Sequence, residues 1–249
     1  MNLSKEDKTF IAHIDDMVER VQKNGRVETT LFLDSHQCSL AMGELKYAYG
    51  VHYRLYGGSV ENERCILGIG GEDIPLSDSA FGIHAVQYRY RKVDKLTHRD
   101  FLGCFMAQNI SRELVGDIFV SEGETVAFVH KNALDILLDL DKIGRVGVTA
   151  SKVEAGFDFT PQKEEQSFTV SSLRLDAVIS AVCGKSRSAA SELIAAGQVF
   201  VNHVEIESNS FTPKEGDTIS VRGFGKFVFT GVHHTTKKGK LAISISKYV

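Results

Sequence analysis

Between residues 175 and 197 the sequence, LDAVISAVCGKSRSAASELIAAG, carries two short apolar stripes at helical spacing with only a brief turn between them. Leu175, Val178, Ile179 and Val182 fall at i, i+3, i+4 and i+7, the stripe of a short helix. Gly184 ends it. Ser186 or Ser188 caps a second helix whose inner face is Ala190, Leu193 and Ile194, and Gly197 closes that one. Two helices joined so tightly pack nearly antiparallel. The strands predicted to follow, QVFVN, DTISVRG, GKFVFTGVHH and LAISISKYV, complete a small sheet.

The turn contains Gly184-Lys185-Ser186, the way a nucleotide-binding P-loop ends. Such a loop needs G-x-x-x-x-G-K-[ST] between a strand and a helix. Five residues before Gly184 stands Ile179, and the preceding segment is helical, so the nucleotide reading fails. A second reading is a phosphate held at the start of the second helix, where N–H donors are spare. Lys185 and Arg187 sit on that turn, and Arg174 joins them if the hairpin folds back. A hydrogen bond to a charged group contributes about 1.5–3 kcal/mol and the helix dipole about 0.3–1 kcal/mol. The cations therefore dominate, and the helix end aims them. For these residues alone, a solvated turn with serine caps stands beside that reading.

The spaced pattern LRLDAVI, KSRS, ELIAAGQVFVN and GDTISVRGFGKF, over about residues 171 to 230, resembles the S4 RNA-binding domain. The resemblance implies an RNA-facing surface of Arg174, Lys185, Ser186, Arg187, Ser188 and Asn202. Asp176 reads as a first-turn acid favoured by the dipole and not as an RNA contact. Many S4 domains have Asn-Gly in the tight turn; here Asn202 is followed by His203, which leaves the turn type open. In RGFGKF, Arg222 and Lys226 supply charge, and Phe224 either stacks on a base or packs inward. Lys237, Lys238 and Lys240 in TTKKGK read first as a hairpin tip kept soluble by charge.

The expected fold class is α+β. Residues 1–80 read as a small α/β unit: an amphipathic helix over 4–23, a strand TTLFLD, a helix SHQCSLAMGELKYAY capped by Ser35, and strands VHYRLYGG and RCILGI. Residues 83–156 read β-α-β-β-α-β, the ferredoxin-like order, with Thr97 and Asn132 as helix caps. FTPQKEEQSFT suggests a linker over 157–170, and the S4 domain fills 171–249. VAFVHK has a faint likeness to a single-strand RNA-binding strand motif, with Tyr88 or Tyr90 as stacking candidates, although core packing suits either tyrosine better. Arg89, Arg91, Lys92 and Lys95, extended by Arg99 and Arg112, form a second RNA face or simply a charged edge.

LFLD, YGGSVENER, LTHRDFLG and VGDIFV, in this order and followed by SVRGFGKF, are similar to the YlmH family of bacterial S4-domain proteins, over nearly the whole chain. That resemblance implies association with the large ribosomal subunit, contact with rRNA or tRNA, and a part in quality control of stalled translation.

The charge distribution fits a polyanion partner at the C-terminal end. From Ser167 onward there are 10 Lys and Arg against 6 Asp and Glu, whereas the first 166 residues carry 19 against 26. Cys38, Cys65, Cys104 and Cys183 are scattered, as suits a reducing cytoplasm, and show no metal-ligand spacing. The charged opening MNLSKEDKTF is not a signal peptide, and no apolar run is long enough for a membrane span. His98-Arg99-Asp100 imitates a kinase loop, but Phe105 stands where its metal-binding Asn belongs. The expectation is a non-catalytic, monomeric RNA-binding factor without cofactor or metal. An S4-containing pseudouridine synthase or a protein-docking adaptor is the alternative.

Overall fold

Helix α1 (Lys5–Asn24) begins where Ser4 Oγ accepts a hydrogen bond from the Asp7 N–H at 3.0 Å and the Asp7 carboxylate accepts one from the Ser4 N–H at 3.0 Å. It ends at Gly25, whose φ of 67° continues the chain at no steric cost. This computed structural model describes residues 3–59, 62–153, 163–236 and 239–248. The chain divides into two units, Met1–Thr160 and Pro161–Val249.

In the first unit α1 is followed by β1 (Glu28–Leu33), α2 (Ser35–Leu45), β2 (Val51–Tyr56) and β3 (Cys65–Gly71). The strands form an antiparallel sheet in the order β1-β3-β2. The cap of α2 is Asp34 and not Ser35: the Gln37 N–H donates to Asp34 Oδ1 at 2.9 Å. Ile14, Met17 and Val21 of α1 close over Leu33, Ala41, Leu67 and Ile69.

The unit continues with β4 (Ile83–Arg89), α3 (His98–Met106), β5 (Val115–Ser121), β6 (Glu124–His130), α4 (Lys131–Leu138), β7 (Lys142–Ile143), β8 (Val146–Gly147) and β9 (Thr149–Lys152). The order β-α-β-β-α-β is present, with the β7–β8 hairpin inserted before the last strand. Neighbours are antiparallel in the order β5-β6-β4-β9. His130, and not Asn132, caps α4, its ring nitrogen accepting from the Asn132 N–H at 3.3 Å.

Strand periodicity sends alternate residues to opposite faces. Ala127 and Val129 of β6 join Tyr88, Phe101, Phe105 and Leu137 on the helix side. Val126 and Phe128 face the other way, into a core shared with Phe32, Ile66, Leu76 and Phe81. Both faces of this sheet are therefore covered, and the segments read from sequence as separate units over 1–80 and 83–156 share one core. Gly116 on β5 makes room for it: a Cβ there would lie 2.7 Å from the Phe32 ring.

The second unit comprises β10 (Lys163–Val170), α5 (Leu175–Val182), α6 (Arg187–Ala195), β11 (Val199–Val201), β12 (Val204–Glu205), β13 (Thr218–Val221), β14 (Gly225–Thr235) and β15 (Leu241–Tyr248). Among the described residues its strands form one six-stranded sheet, β10-β15-β14-β13-β11-β12. Leu175, Val178 and Ile179 of α5 and Ala190 and Ile194 of α6 bury against Val199, Ile219, Phe227 and Ile243.

Part of the expected linker is thus a strand. Residues 163–170 pair with β15 from Lys163↔Tyr248 to Val170↔Leu241, with Phe168 and Val170 packed on the core. The rest of that linker up to residue 162, and Lys237 and Lys238, lie outside the described residues. No described helix is long and apolar enough to cross a membrane.

Candidate nucleic-acid interface

The start of α5 is tied down by backbone hydrogen bonds from Leu175 N–H to Phe211 O at 2.8 Å and from Asp176 N–H to Asn209 O at 3.4 Å. Arg174 occupies the N-cap in an extended conformation, so its side chain leaves the helix axis. Asp176, in the first turn, is only 5% exposed. Its Oδ1 accepts from Arg174 Nε at 3.1 Å and from the Ala177 N–H at 3.0 Å. Its Oδ2 accepts from Arg174 Nη2 at 3.4 Å and from Arg187 Nη2 at 2.9 Å.

One buried carboxylate therefore gathers two cations from different helices. Burial pushes the Asp176 carboxyl up, but the hydrogen bonds and charges of Arg174 and Arg187 more than offset this, and its pKa lies below the ordinary 3.8. The arginine side chains stay 43% and 50% exposed. A guanidinium has five N–H donors, so each keeps donors for a second anion on its open side.

The turn into α6 is fixed from below. Gly184 takes φ 61°, the Lys185 N–H donates to Ser180 O at 3.0 Å, and Ser180 Oγ donates to Lys185 O at 2.7 Å. Ser186 is the N-cap, with Oγ accepting from the Ala189 N–H at 3.1 Å and lying 2.9 Å from Ser188 Oγ. The first turn of α6 thus presents Lys185, Ser186, Arg187 and Ser188 together, all exposed. Lys185 Nζ lies 5.4 Å from the ring centroid of Phe224. That ring sits in the Arg222-Gly223-Phe224 turn between β13 and β14, half-buried against the core. The inward-packing reading of Phe224 holds in part, and the remainder of the ring is accessible. Arg222 is exposed, its guanidinium 5.5 Å from the Phe200 ring; Lys226 is half-buried on β14, opposite Ser220.

Asn202 has a structural task. Asn202 and His203 have φ of 49° and 67°, the left-handed pair of a type I′ hairpin between β11 and β12. The Asn202 amide donates to Asp217 Oδ1 at 2.8 Å and its carbonyl accepts from the Thr218 N–H at 2.9 Å. Both ends of that amide tie the hairpin to the next strand.

The basic residues of the first unit do not converge in this way. Arg91 pairs with Asp94 at 2.9 Å and Lys95 with Glu122 at 2.9 Å. Arg112 turns to the carbonyls of Val115 and Gly116, where burial, with nearby Arg64, lowers its pKa to about 10. Arg89, Lys92 and Arg99 are exposed. Tyr88 is fully buried and donates to Leu137 O at 2.8 Å; Tyr90 donates to Ser121 O at 2.8 Å. Neither tyrosine lies on an open sheet face, and Phe32 and Phe81 cover the face that stacking would need.

Sequence reasoning missed the bridging role of Asp176. Residues two apart on a helix do not meet, and the pairing with Arg174 arises only because Arg174 lies outside the helical spiral. Its reach to Arg187 depends on the fold of the hairpin.

Family models match the chain in three successive segments: the YlmH N-terminal domain at residues 6–74, a domain described as "Putative RNA-binding domain in YlmH" at 77–156, and the S4 domain at 173–219. The chain is 30% identical over 247 residues to the ribosome-associated protein quality control protein P2 of Bacillus subtilis, covering 98% of this chain and 96% of that protein. It is also similar to the solved structure of the cell division protein ylmH from Streptococcus pneumoniae, with 26% identity and a TM-score of 0.54, over 64% of this chain and 98% of the other. With these matches in order along its length and a relative spanning nearly all of it, the chain belongs to the YlmH family of S4-domain proteins.

Proposed function

We propose that this protein is a non-catalytic RNA-binding factor that docks, as a cytoplasmic monomer, on rRNA or tRNA of the large ribosomal subunit during quality control of stalled translation. The observation that carries this reading is the convergence of Arg174 and Arg187 on Asp176 beside the start of α6, with Lys185 on the adjoining turn. A sugar–phosphate chain crossing this point meets guanidinium donors already held in place, a helix N-terminus and the exposed ammonium of Lys185. Ser186 and Ser188 border the same surface, whereas Arg222 lies over the Phe200 ring and Asn202 acts through the hairpin. The name of the Bacillus subtilis relative supports the ribosomal setting. No cofactor enters this reading.

The test is co-sedimentation with ribosomal subunits. The protein should travel with the large subunit, and replacing Lys185 and Arg187 together by Ala should release it while the variant still folds cooperatively, its thermal unfolding lowered only by loss of the Arg187–Asp176 pair. Retention of that variant in the heavy fractions would place the contact elsewhere. A complex that survives nuclease treatment would favour a protein-docking adaptor. A modified nucleoside that vanishes when the protein is deleted would favour an RNA-modifying enzyme.

A further inference from the structure

Beside the cationic turn lies an open groove of about 340 Å³ between α6 and the β13–β14 turn. Its lining combines apolar Ala189, Leu193 and Ala196 and the Phe224 ring with the polar side chains of Lys185, Glu192 and Gln198. The volume lies at the small end of the range for ligand sites. Neither the Glu192 carboxylate nor the Gln198 amide has a hydrogen-bond partner among the described residues. Together the lining provides a ring-sized space, an aromatic surface and two unused polar groups.

We infer that this groove receives one unpaired nucleobase of the bound RNA, and that guanine is the base it accepts best. The inference rests on the phosphate reading above, because Lys185 belongs to both surfaces: a chain whose phosphate lies at the turn has its adjacent base within reach of the groove. A phosphate itself is repelled by Glu192, whereas a flat ring matches the alanine, leucine and phenylalanine lining. Lys185 now covers part of the Phe224 ring. Stacking of a base on an aromatic ring is stronger than an exposed cation–π contact, so the ammonium moves to phosphate and the base takes its place.

The polar edge sets the preference. Guanine presents two adjacent N–H donors on its pairing edge, which a carboxylate accepts side by side. Adenine and cytosine present one amine beside a lone pair, and uracil presents one N–H between two carbonyls that repel the anion. Gln198 supplies a donor for the guanine carbonyl.

The experiment compares the full-length protein's affinity for a short oligouridine and for the same chain with one central guanosine, by fluorescence anisotropy. The guanosine chain should bind about tenfold tighter, the scale of one bidentate base contact. Ala189→Leu, which fills the groove with a helix-compatible side chain, should erase the difference while leaving oligouridine binding and thermal unfolding unchanged, and Glu192→Ala should erase it while tightening oligouridine binding modestly by removing a like charge. Equal binding of the two chains by the unaltered protein, or a guanosine preference that survives Ala189→Leu, would overturn the groove assignment and leave the phosphate reading standing. Salt-insensitive or absent binding of both chains would overturn the two together.

Discussion

The Asp176 carboxylate lies 2.9 Å from Nη2 of Arg187, on the partner helix of the hairpin, and also holds Arg174. An acid inside a proposed anion-binding surface looks contrary to its purpose. Its burial resolves this: the carboxylate faces the helix start and its neighbours, while the arginines turn their free donors outward. It restrains two long side chains whose ordering would otherwise weaken each phosphate contact.

Asp176→Ala should therefore weaken RNA binding severalfold even though it raises the net positive charge. It should also lower folding stability by about 1–2 kcal/mol, less than for a fully buried pair because both guanidiniums can rehydrate. Urea unfolding and RNA titration of the same variant check the two effects. Tighter RNA binding by the variant would show that Asp176 merely neutralises.

The same carboxylate predicts an acid dependence. The folded-state pKa of Asp176 lies below the ordinary 3.8. The stabilisation it contributes is thus fully present above about pH 4 and is lost as the pH falls through the folded value. Between pH 5 and 7 this pair should contribute nothing to any change in stability. Comparing unfolding curves of the natural protein and Asp176→Asn across the acid range checks the sign: their difference should shrink only below pH 4.

Packing in the first unit predicts a coupling between the segments 1–80 and 83–156. A Cβ on Gly116 would approach the Phe32 ring to 2.7 Å. Gly116→Ala should cost about 1–3 kcal/mol by overpacking, and clearly less when Phe32 is replaced by Leu. A double-mutant cycle from denaturant unfolding measures this. Strict additivity would mean that the two segments do not share the core formed by Phe32, Phe81, Val126 and Phe128.

Much of the second unit was legible because its signals are local. The stripes Leu175–Val182 and Ala190–Ile194, the cap at Ser186 and the breaks at Gly184 and Gly197 are all present as read. What was not legible depends on distant partners. The alternation toward Phe168 and Val170 in β10 is weak in a polar segment, and only pairing with β15 makes it a strand. Tyr88 lies on a strand whose two faces both find cover, which periodicity alone does not reveal. Arg112 resembled a surface cation until the carbonyls of β5 were seen to accept from it. The residues of the proposed phosphate site divide in the same way: helix signals place Lys185, Ser186 and Arg187 at the start of α6, whereas the pairing through Asp176 and the structural task of Asn202 come from tertiary contacts.

The phosphate grip is tested most directly by the salt dependence of RNA binding. For single-stranded RNA, about four neutralised phosphates give a slope of about −3 in log affinity against log salt. The Lys185→Ala/Arg187→Ala variant should lose two contacts and flatten the slope to about −1.5. A flat plot for the natural protein, or an unchanged slope in the variant, would contradict the assignment of these cations to RNA phosphates.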